Sequence, residues 1–404
     1  MDTIAHSGPC TVSADPLCIS GLSRGERGLI LRWRDGSESF FHNIWLRDCC
    51  HCATCGDCYS SNRWMVPCDV PLDVHPRGVR IDARGDLVVE WEPDGHVSRY
   101  TGRWLHENRY DAPAREIRRF RPVLWDSRTP GHPPTFDFAG VRDSDGNRLA
   151  LFRALRDCGC AFITNGPCRP GAVEDVASLV GGLGESAYTR IFDLTPKGSV
   201  RTAGNTTRPV PPHTDEAYRY APPGLMVLGC VHQASEGGDT VVVDGFRIAA
   251  ALKEEDPDAF SLLVRHEQNF VRIHEGTLNQ QVRAPMIALD SQGEVCGVRI
   301  HTRSTGPLDL PADLVEPYYA AYHHLTRLMM APDYQVRRAL QPGDFVMFDN
   351  HRTLHARMGF ADTGRHFQIC NVPRETLHER LRLLAAAHGS ADEARMALPA
   401  GAIR

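Results

Sequence analysis

Six of the fourteen cysteines, Cys49, Cys50, Cys52, Cys55, Cys58 and Cys68, fall within twenty residues, and this crowding constrains the local fold more than any other feature of the chain. Cysteines two or three positions apart do not readily reach the geometry of a mutual disulfide, whereas their thiolates can converge on one tetrahedral Zn²⁺. The opening residues Met1-Asp2-Thr3-Ile4-Ala5-His6 carry no basic stretch followed by an apolar one, so the expected compartment is the cytoplasm. There, zinc is a better reading than a disulfide framework. Cys49/Cys52, Cys52/Cys55 and Cys55/Cys58 are three overlapping C-x-x-C pairs, and His51, His75 and His96 are each available as a fourth ligand. Spacing alone leaves that register open.

The remaining length, within 404 residues that are 42% apolar and 24% charged, is enough for a second, larger core. A net charge of −5 provides no global basic field, and the arginines are scattered, so nucleic acid is not an expected partner. No apolar run approaches the ~20 residues needed to span a bilayer, so neither is a membrane. Residues 1–25 are polar and rich in Gly, Ser and Pro, which predicts a flexible tail. Residues 26–112 alternate short strand-like runs with turns, as in Leu29–Trp33 and Leu87–Trp91, and predict a small β domain around the cysteines. Residues 113–135, with Pro130-Gly131-His132-Pro133-Pro134, read as a connector on a surface. From 136 to 404, Leu149–Leu155 has helical spacing and stops at Gly159. Strand signals then dominate, at Leu225–Leu228, Thr240–Val243, Val298–Ile300, Phe345–Phe348 and Phe367–Ile369, with helices near 246–265 and 313–330. Many separated strands with a few outer helices predict a mainly β barrel or double-sheet architecture rather than an alternating parallel sheet.

Within that second region, His213-Thr214-Asp215 is an H-x-D triplet; on a strand, residues i and i+2 share a face, so one imidazole and one carboxylate can address one ion. His355 follows the strand-like Phe345–Phe348 and the loop Asp349-Asn350-His351. Two histidines and one carboxylate form a facial triad with open positions, suited to non-haem Fe(II). Arg365 lies ten residues beyond His355, across the turn-rich Asp362-Thr363-Gly364, where a returning strand would bring its planar fork to a 2-oxo acid's carboxylate. His351 sits at an expected loop tip and is read as a non-ligand.

Pro212–Asp215, Gly237–Phe246, Pro342–Asp344 and Asp349–Arg357 resemble the γ-butyrobetaine and trimethyllysine hydroxylase family, relatives of taurine dioxygenase. Ile44–Cys55 resembles that family's zinc module, and the resemblance implies Cys50, Cys52, Cys55 and His96 as zinc ligands, with Cys49 and Cys58 extra to the pattern. It further implies a double-stranded β-helix (jelly roll), iron held by His213, Asp215 and His355, 2-oxoglutarate held by Arg365 and Thr240, and a homodimer. The implied reaction takes Fe(II), O₂ and 2-oxoglutarate to succinate, CO₂ and a hydroxylated C–H bond.

The family binds a trimethylammonium group in an aromatic cage. Here Tyr188 and Phe192 would supply two walls, while the other two aligned positions read Asn205 and Asn371. Arg303 stands where the family tends to carry asparagines that meet the substrate carboxylate. These departures predict a small polar, amino-acid-like or anionic substrate; the alternative is γ-butyrobetaine itself. A non-catalytic metal-binding sensor leaves the triad and Arg365 without a purpose, and a zinc hydrolase gives no role to Arg365.

Overall fold

The computed structural model describes residues 17–57, 62–196, 202–361, 364–389 and 391–394. Cys58, the turn residues Asp362 and Thr363, and residues 1–16 of the expected tail lie outside these. The chain divides into two compact units, Met1–Arg119 and Phe120–Arg404.

In the first unit, two three-stranded antiparallel sheets, Ile19–Arg24/Gly28–Trp33/Glu38–His42 and Pro76–Ile81/Leu87–Trp91/Val97–Tyr100, contribute to one core built on Leu29, Leu31, Trp33, Leu87, Val89 and Trp91. Period-2 alternation explains the choice: Leu29, Leu31 and Trp33 point to one face. The expectation of a tail to residue 25 is corrected by Ile19–Arg24, which pairs with Gly28–Trp33 and buries Ile19. Its Gly/Ser-rich composition hid a strand made by backbone pairing.

The second unit is built on a six-stranded mixed sheet, in the order Ile191–Leu194, His366–Val372, Leu225–His232, Phe345–Asp349, Cys160–Thr164 and Thr135–Asp137. A four-stranded sheet follows the order Val210–His213, Thr353–Arg357, Thr240–Asp244 and Val336–Arg338. Residues of both sheets, among them Met226, Leu228, Val346, Phe348 and Val242, meet in one buried cluster. The opposite faces are buried too. Leu225, Val227 and Met347 pack with the helices Asp145–Cys158 and Arg374–His388, and Val241, Val243 and Leu354 with Gly245–Glu255, Pro257–Arg265 and Ala312–Met330. Strands covered on both faces read in the sequence as continuous apolar runs, which is why they were legible without alternation.

The surface connector expected at 113–135 is also corrected. Ala112–Ile117 is a helix capped by Asp111, whose side chain accepts from the Ala114 N–H. Trp125 is buried in the inter-sheet cluster, its indole donating to the Cys158 carbonyl at 2.7 Å, and Thr135–Asp137 pairs in parallel with Cys160–Thr164. The proline-rich composition marked irregular backbone but could not reveal the anchoring indole. Among the described residues no helix is long and apolar enough to cross a membrane.

Candidate active site and metal centres

The first cluster follows the short helix Asn43–Asp48. A tight turn, with the Cys55 N–H bonded to the Cys52 carbonyl at 2.9 Å, brings three thiols together. His96 arrives from the turn joining Leu87–Trp91 to Val97–Tyr100, its N–H held by Asp94 Oδ1 at 3.0 Å. His96 Nε2 lies 3.3 Å from the sulfur of Cys50 and 3.6 Å from those of Cys52 and Cys55. Three sulfurs ringed about one imidazole nitrogen form a closed Cys₃His donor set that fits tetrahedral zinc. Burial pushes the Cys50 thiol up to about 11. For Cys52, burial acts in the same sense, but hydrogen bonds from Thr54, Cys55 and Cys50 outweigh it and bring the thiol down to about 7, toward the thiolate a metal requires. Cys49, also raised to about 11 by burial, stands outside the group. So do His75, paired with Glu92 at 3.0 Å, and His51, edge-on to Trp104.

The second cluster is set by strand register. His213 and His355 are directly paired across Val210–His213 and Thr353–Arg357, with ring centroids 4.2 Å apart. Asp215 reaches both, its oxygens 3.4 Å from His213 Nε2 and 3.7 Å from His355 Nε2. The His213 Nδ1–H donates to the Pro211 carbonyl at 2.9 Å, which leaves Nε2 as the free lone pair. Asn350 clamps the Asp215 backbone, accepting its N–H at 2.7 Å and donating to its carbonyl at 3.0 Å, while the Thr214 N–H bonds to Ile300 at 2.7 Å. Burial would raise the Asp215 carboxyl, but the imidazoles of His355, His213 and His301 outweigh it and hold the group below the usual carboxylate range. Burial, then the neighbouring His213, brings His355 down to about 3, so both imidazole and carboxylate sit in metal-binding protonation states. The two nitrogens and one oxygen donor, lying within 4.8 Å of one another, fit a facial Fe(II) site with open positions. His351 is not in the group.

A cavity of about 190 Å³ opens on this triad, below the ~300–1,000 Å³ of drug-sized pockets, so it suits small molecules. At its inner end Arg365 is only 2% exposed, its guanidinium 3.6 Å from the Phe367 ring centroid and 5.3 Å from that of Phe360. Gly238, with φ +76°, makes room for it; a Cβ there would stand 3.1 Å from Arg365 Nε. Arg365 Nε, Arg357 Nε and Thr240 Oγ1 are all buried with no hydrogen-bond partner among the described residues. Leaving such groups unmatched costs about 1–3 kcal/mol each, and more where charged, so this cradle fits a carboxylate of 2-oxoglutarate. Burial, then Arg357, lowers Arg365 to about 9, still cationic at neutral pH. Sequence reasoning missed Arg357, although it lies two residues after His355 on the same strand face and pairs directly with Thr240.

The expected substrate residues divide. Tyr188 and Phe192 line the cavity with ring centroids 5.4 Å apart, and the Tyr218 hydroxyl, also missed, donates to Tyr188 at 3.3 Å. Arg303, from the short turn Thr302–Ser304, and Asn371 line it as well, the Asn371 amide donating to the Gly184 carbonyl at 3.3 Å. Asn205 is a correction. Its amide donates to the carbonyls of Asp193 (3.0 Å) and Thr195 (2.8 Å) and accepts from the Thr202 hydroxyl (2.8 Å), so it braces the short turn Ala203–Asn205 instead of facing a substrate. Buried polar groups satisfy themselves on the nearest backbone, which alignment with an aromatic position cannot show.

Residues 121–371 match the family model for taurine catabolism dioxygenase TauD, TfdA family, and residues 21–106 that for the γ-butyrobetaine hydroxylase-like N-terminal region. The chain is 35% identical over 362 residues to γ-butyrobetaine dioxygenase of Pseudomonas sp. (strain AK-1), covering 88% of this chain and 94% of that protein. It is 29% identical over 355 residues to mitochondrial trimethyllysine dioxygenase of Rattus norvegicus, covering 85% and 82%. A solved asparagine oxygenase in complex with Fe(II), 2S,3S-3-hydroxyasparagine and succinate is similar at 16% identity with a TM-score of 0.47, over 58% of this chain and 83% of that one.

Proposed function

Since the chain belongs to the TauD, TfdA dioxygenase family and is thereby an Fe(II)- and 2-oxoglutarate-dependent oxygenase, we propose that it hydroxylates a C–H bond of a small polar, amino-acid-like or anionic metabolite. One observation carries the reading: the facial donor set and the unmatched buried donors of Arg365, Arg357 and Thr240 face the same cavity. Bound together, Fe(II) and 2-oxoglutarate supply oxidation by O₂, in which the cosubstrate leaves as succinate and CO₂ and the substrate C–H becomes C–OH.

The chain's own residues supply placement. His213, Asp215 and His355 would hold the metal, and Asn350 fixes the Asp215 backbone so that the triad is preorganised. Arg365 and Thr240 fix one end of the cosubstrate, with Arg357 beside them. Tyr188, Phe192 and Tyr218 form an aromatic wall of the cavity. Those three rings also support the second reading, γ-butyrobetaine as substrate, through cation–π attraction to a quaternary ammonium. The sheet pair supports a double-stranded β-helix within Phe120–Arg404, and Cys50, Cys52, Cys55 and His96 support a zinc-binding domain within Met1–Arg119; a cytoplasmic homodimer completes the proposal.

Purified protein given Fe(II), ascorbate and 2-oxoglutarate, with a panel of amino acids and betaines, is expected to release succinate above its substrate-free rate with at least one member, in step with a product 16 mass units heavier. Succinate release that no member raises, with no hydroxylated product, would overturn the reading.

A further inference from the structure

One wall of the cavity has no regular structure to hold it. Between the helix Ala172–Ala177 and the strand Ile191–Leu194 the chain forms neither helix nor strand, yet Ser186, Tyr188, Thr189 and Arg190 all line the cavity. A segment without its own hydrogen-bonded lattice keeps its place through bonds to its neighbours. Gly184 is tied to Asn371 in both directions, its N–H donating to the Asn371 carbonyl at 2.8 Å and its carbonyl accepting from the Asn371 amide at 3.3 Å. The next ties run to the turn that follows Asp215 of the triad.

Glu216 is the centre of those ties. It is only 7% exposed, and its carboxylate accepts the Ala187 N–H on both oxygens, at 3.0 and 3.1 Å. Arg219 donates from one guanidinium nitrogen to the same carboxylate at 2.8 Å and to the Glu185 carbonyl at 3.1 Å, and the Tyr218 hydroxyl donates to that of Tyr188 at 3.3 Å. The Glu216 backbone stands at φ +50°, a left-handed conformation disfavoured for a residue with a Cβ. Such a conformation persists where its surroundings over-determine it. Here Arg299 donates to the carbonyls of Ala217 (3.1 Å) and Arg219 (3.0 Å), while Asn350 binds the Asp215 backbone on both sides and the Pro223 carbonyl at 3.1 Å. The turn is therefore rigid. Its reversal lets adjacent carboxylates serve different partners, Asp215 the two imidazoles and Glu216 the loop.

We propose that Glu216 is a positioning residue that latches residues 185–190 to the turn of Asp215, so that Tyr188 stands at a fixed distance from the metal and a substrate carbon is presented in register with it. The presentation of substrate rests on the reading that this cavity receives it; the latch itself does not.

Glu216→Gly removes the carboxylate and suits the left-handed backbone, so it separates the latch from folding. Glu216→Gln keeps one oxygen for the Ala187 N–H but not the charge for Arg219. Both are compared with the unaltered protein, loaded with Mn(II) and 2-oxoglutarate under argon. Amide exchange in residues 178–190 is expected to quicken by about 10- to 100-fold in Glu216→Gly, the value of a charge-assisted hydrogen bond, by less in Glu216→Gln, and not at all in Leu225–His232. With 3-fluorotyrosine incorporated, the fluorine signal of Tyr188, assigned by its loss in Tyr188→Phe, should lose most of its Mn(II) relaxation enhancement in Glu216→Gly and part of it in Glu216→Gln. Unchanged exchange, exchange quickened equally in Leu225–His232, or an undiminished enhancement in Glu216→Gly would overturn the latch. With any panel member that the unaltered protein hydroxylates, succinate released per hydroxylated product should rise in Glu216→Gly; an unchanged ratio would overturn the role in presenting substrate. A panel in which nothing is hydroxylated would overturn the substrate reading, and exchange and relaxation then decide the latch alone.

Discussion

The two metal-ligand clusters differ in the number and softness of their donors, and the surrounding chain follows that difference. Cys50, Cys52, Cys55 and His96 would close a tetrahedron with three sulfurs and sit in a small unit whose core is modest, so a metal bound there would be part of the folding free energy. His213, Asp215 and His355 offer two nitrogens and an oxygen and leave positions open; they are held by strand pairing and a buried network that exist without the ion. A closed site can be built on a turn and a loop. An open one needs a scaffold that is already rigid, because unfilled positions contribute nothing to holding the ligands in place.

Stripping the closed site gives the largest expected effect. Cys55→Ser, or chelation strong enough to remove zinc, should unfold the first unit, since closed sites in zinc-finger peptides contribute about 10–16 kcal/mol. Metal analysis paired with thermal unfolding checks it, with zinc falling toward zero and an early transition appearing. Retained folding after complete zinc loss would break the contrast.

The scaffold of the open site predicts the next effect. Asp244 and Arg352 form a fully buried bidentate pair, 2.9 and 2.8 Å, tying the start of Thr353–Arg357 to the end of Thr240–Asp244, the strands that carry His355 and Thr240. Asp244→Asn leaves the guanidinium without its counter-charge and should cost about 3–5 kcal/mol of stability in denaturant unfolding, with the unfolding of the second unit shifted to lower denaturant. A loss under 1 kcal/mol would mean that the network is not what rigidifies the site.

A smaller effect sharpens the substrate wall. Asn205→Ala removes three hydrogen bonds to the chain and should lower stability by about 1–3 kcal/mol while the apparent substrate KM stays within about twofold. A large KM change at unaltered stability would return Asn205 to the substrate.

Much of this site could be read before any coordinates because its chemistry is periodic. His213 and Asp215 share a face by strand spacing, and the overlapping C-x-x-C pairs announce a metal. The apolar runs at Leu225–Leu228 and Thr240–Val243 signal strands buried on both sides. Arg357 obeyed the same two-residue rule after His355 and could have been found by applying it once more. Other features depend on distant partners. The indole of Trp125 is buried by residues of other strands, and the Asn205 amide is satisfied by carbonyls ten and twelve positions away. No local pattern encodes such contacts.

The contrast between a closed and an open site is tested most directly by anaerobic addition of Fe(II) and 2-oxoglutarate to zinc-replete protein, followed by the visible metal-to-ligand charge-transfer absorption of a chelated 2-oxo acid. The account predicts one such complex per chain, formed only when both are present, abolished in His355→Ala and weakened in Arg365→Lys, with zinc content the same in all three proteins. An absorption that forms undiminished in His355→Ala, or that tracks zinc loss in Cys55→Ser while the second unit stays folded, would contradict it.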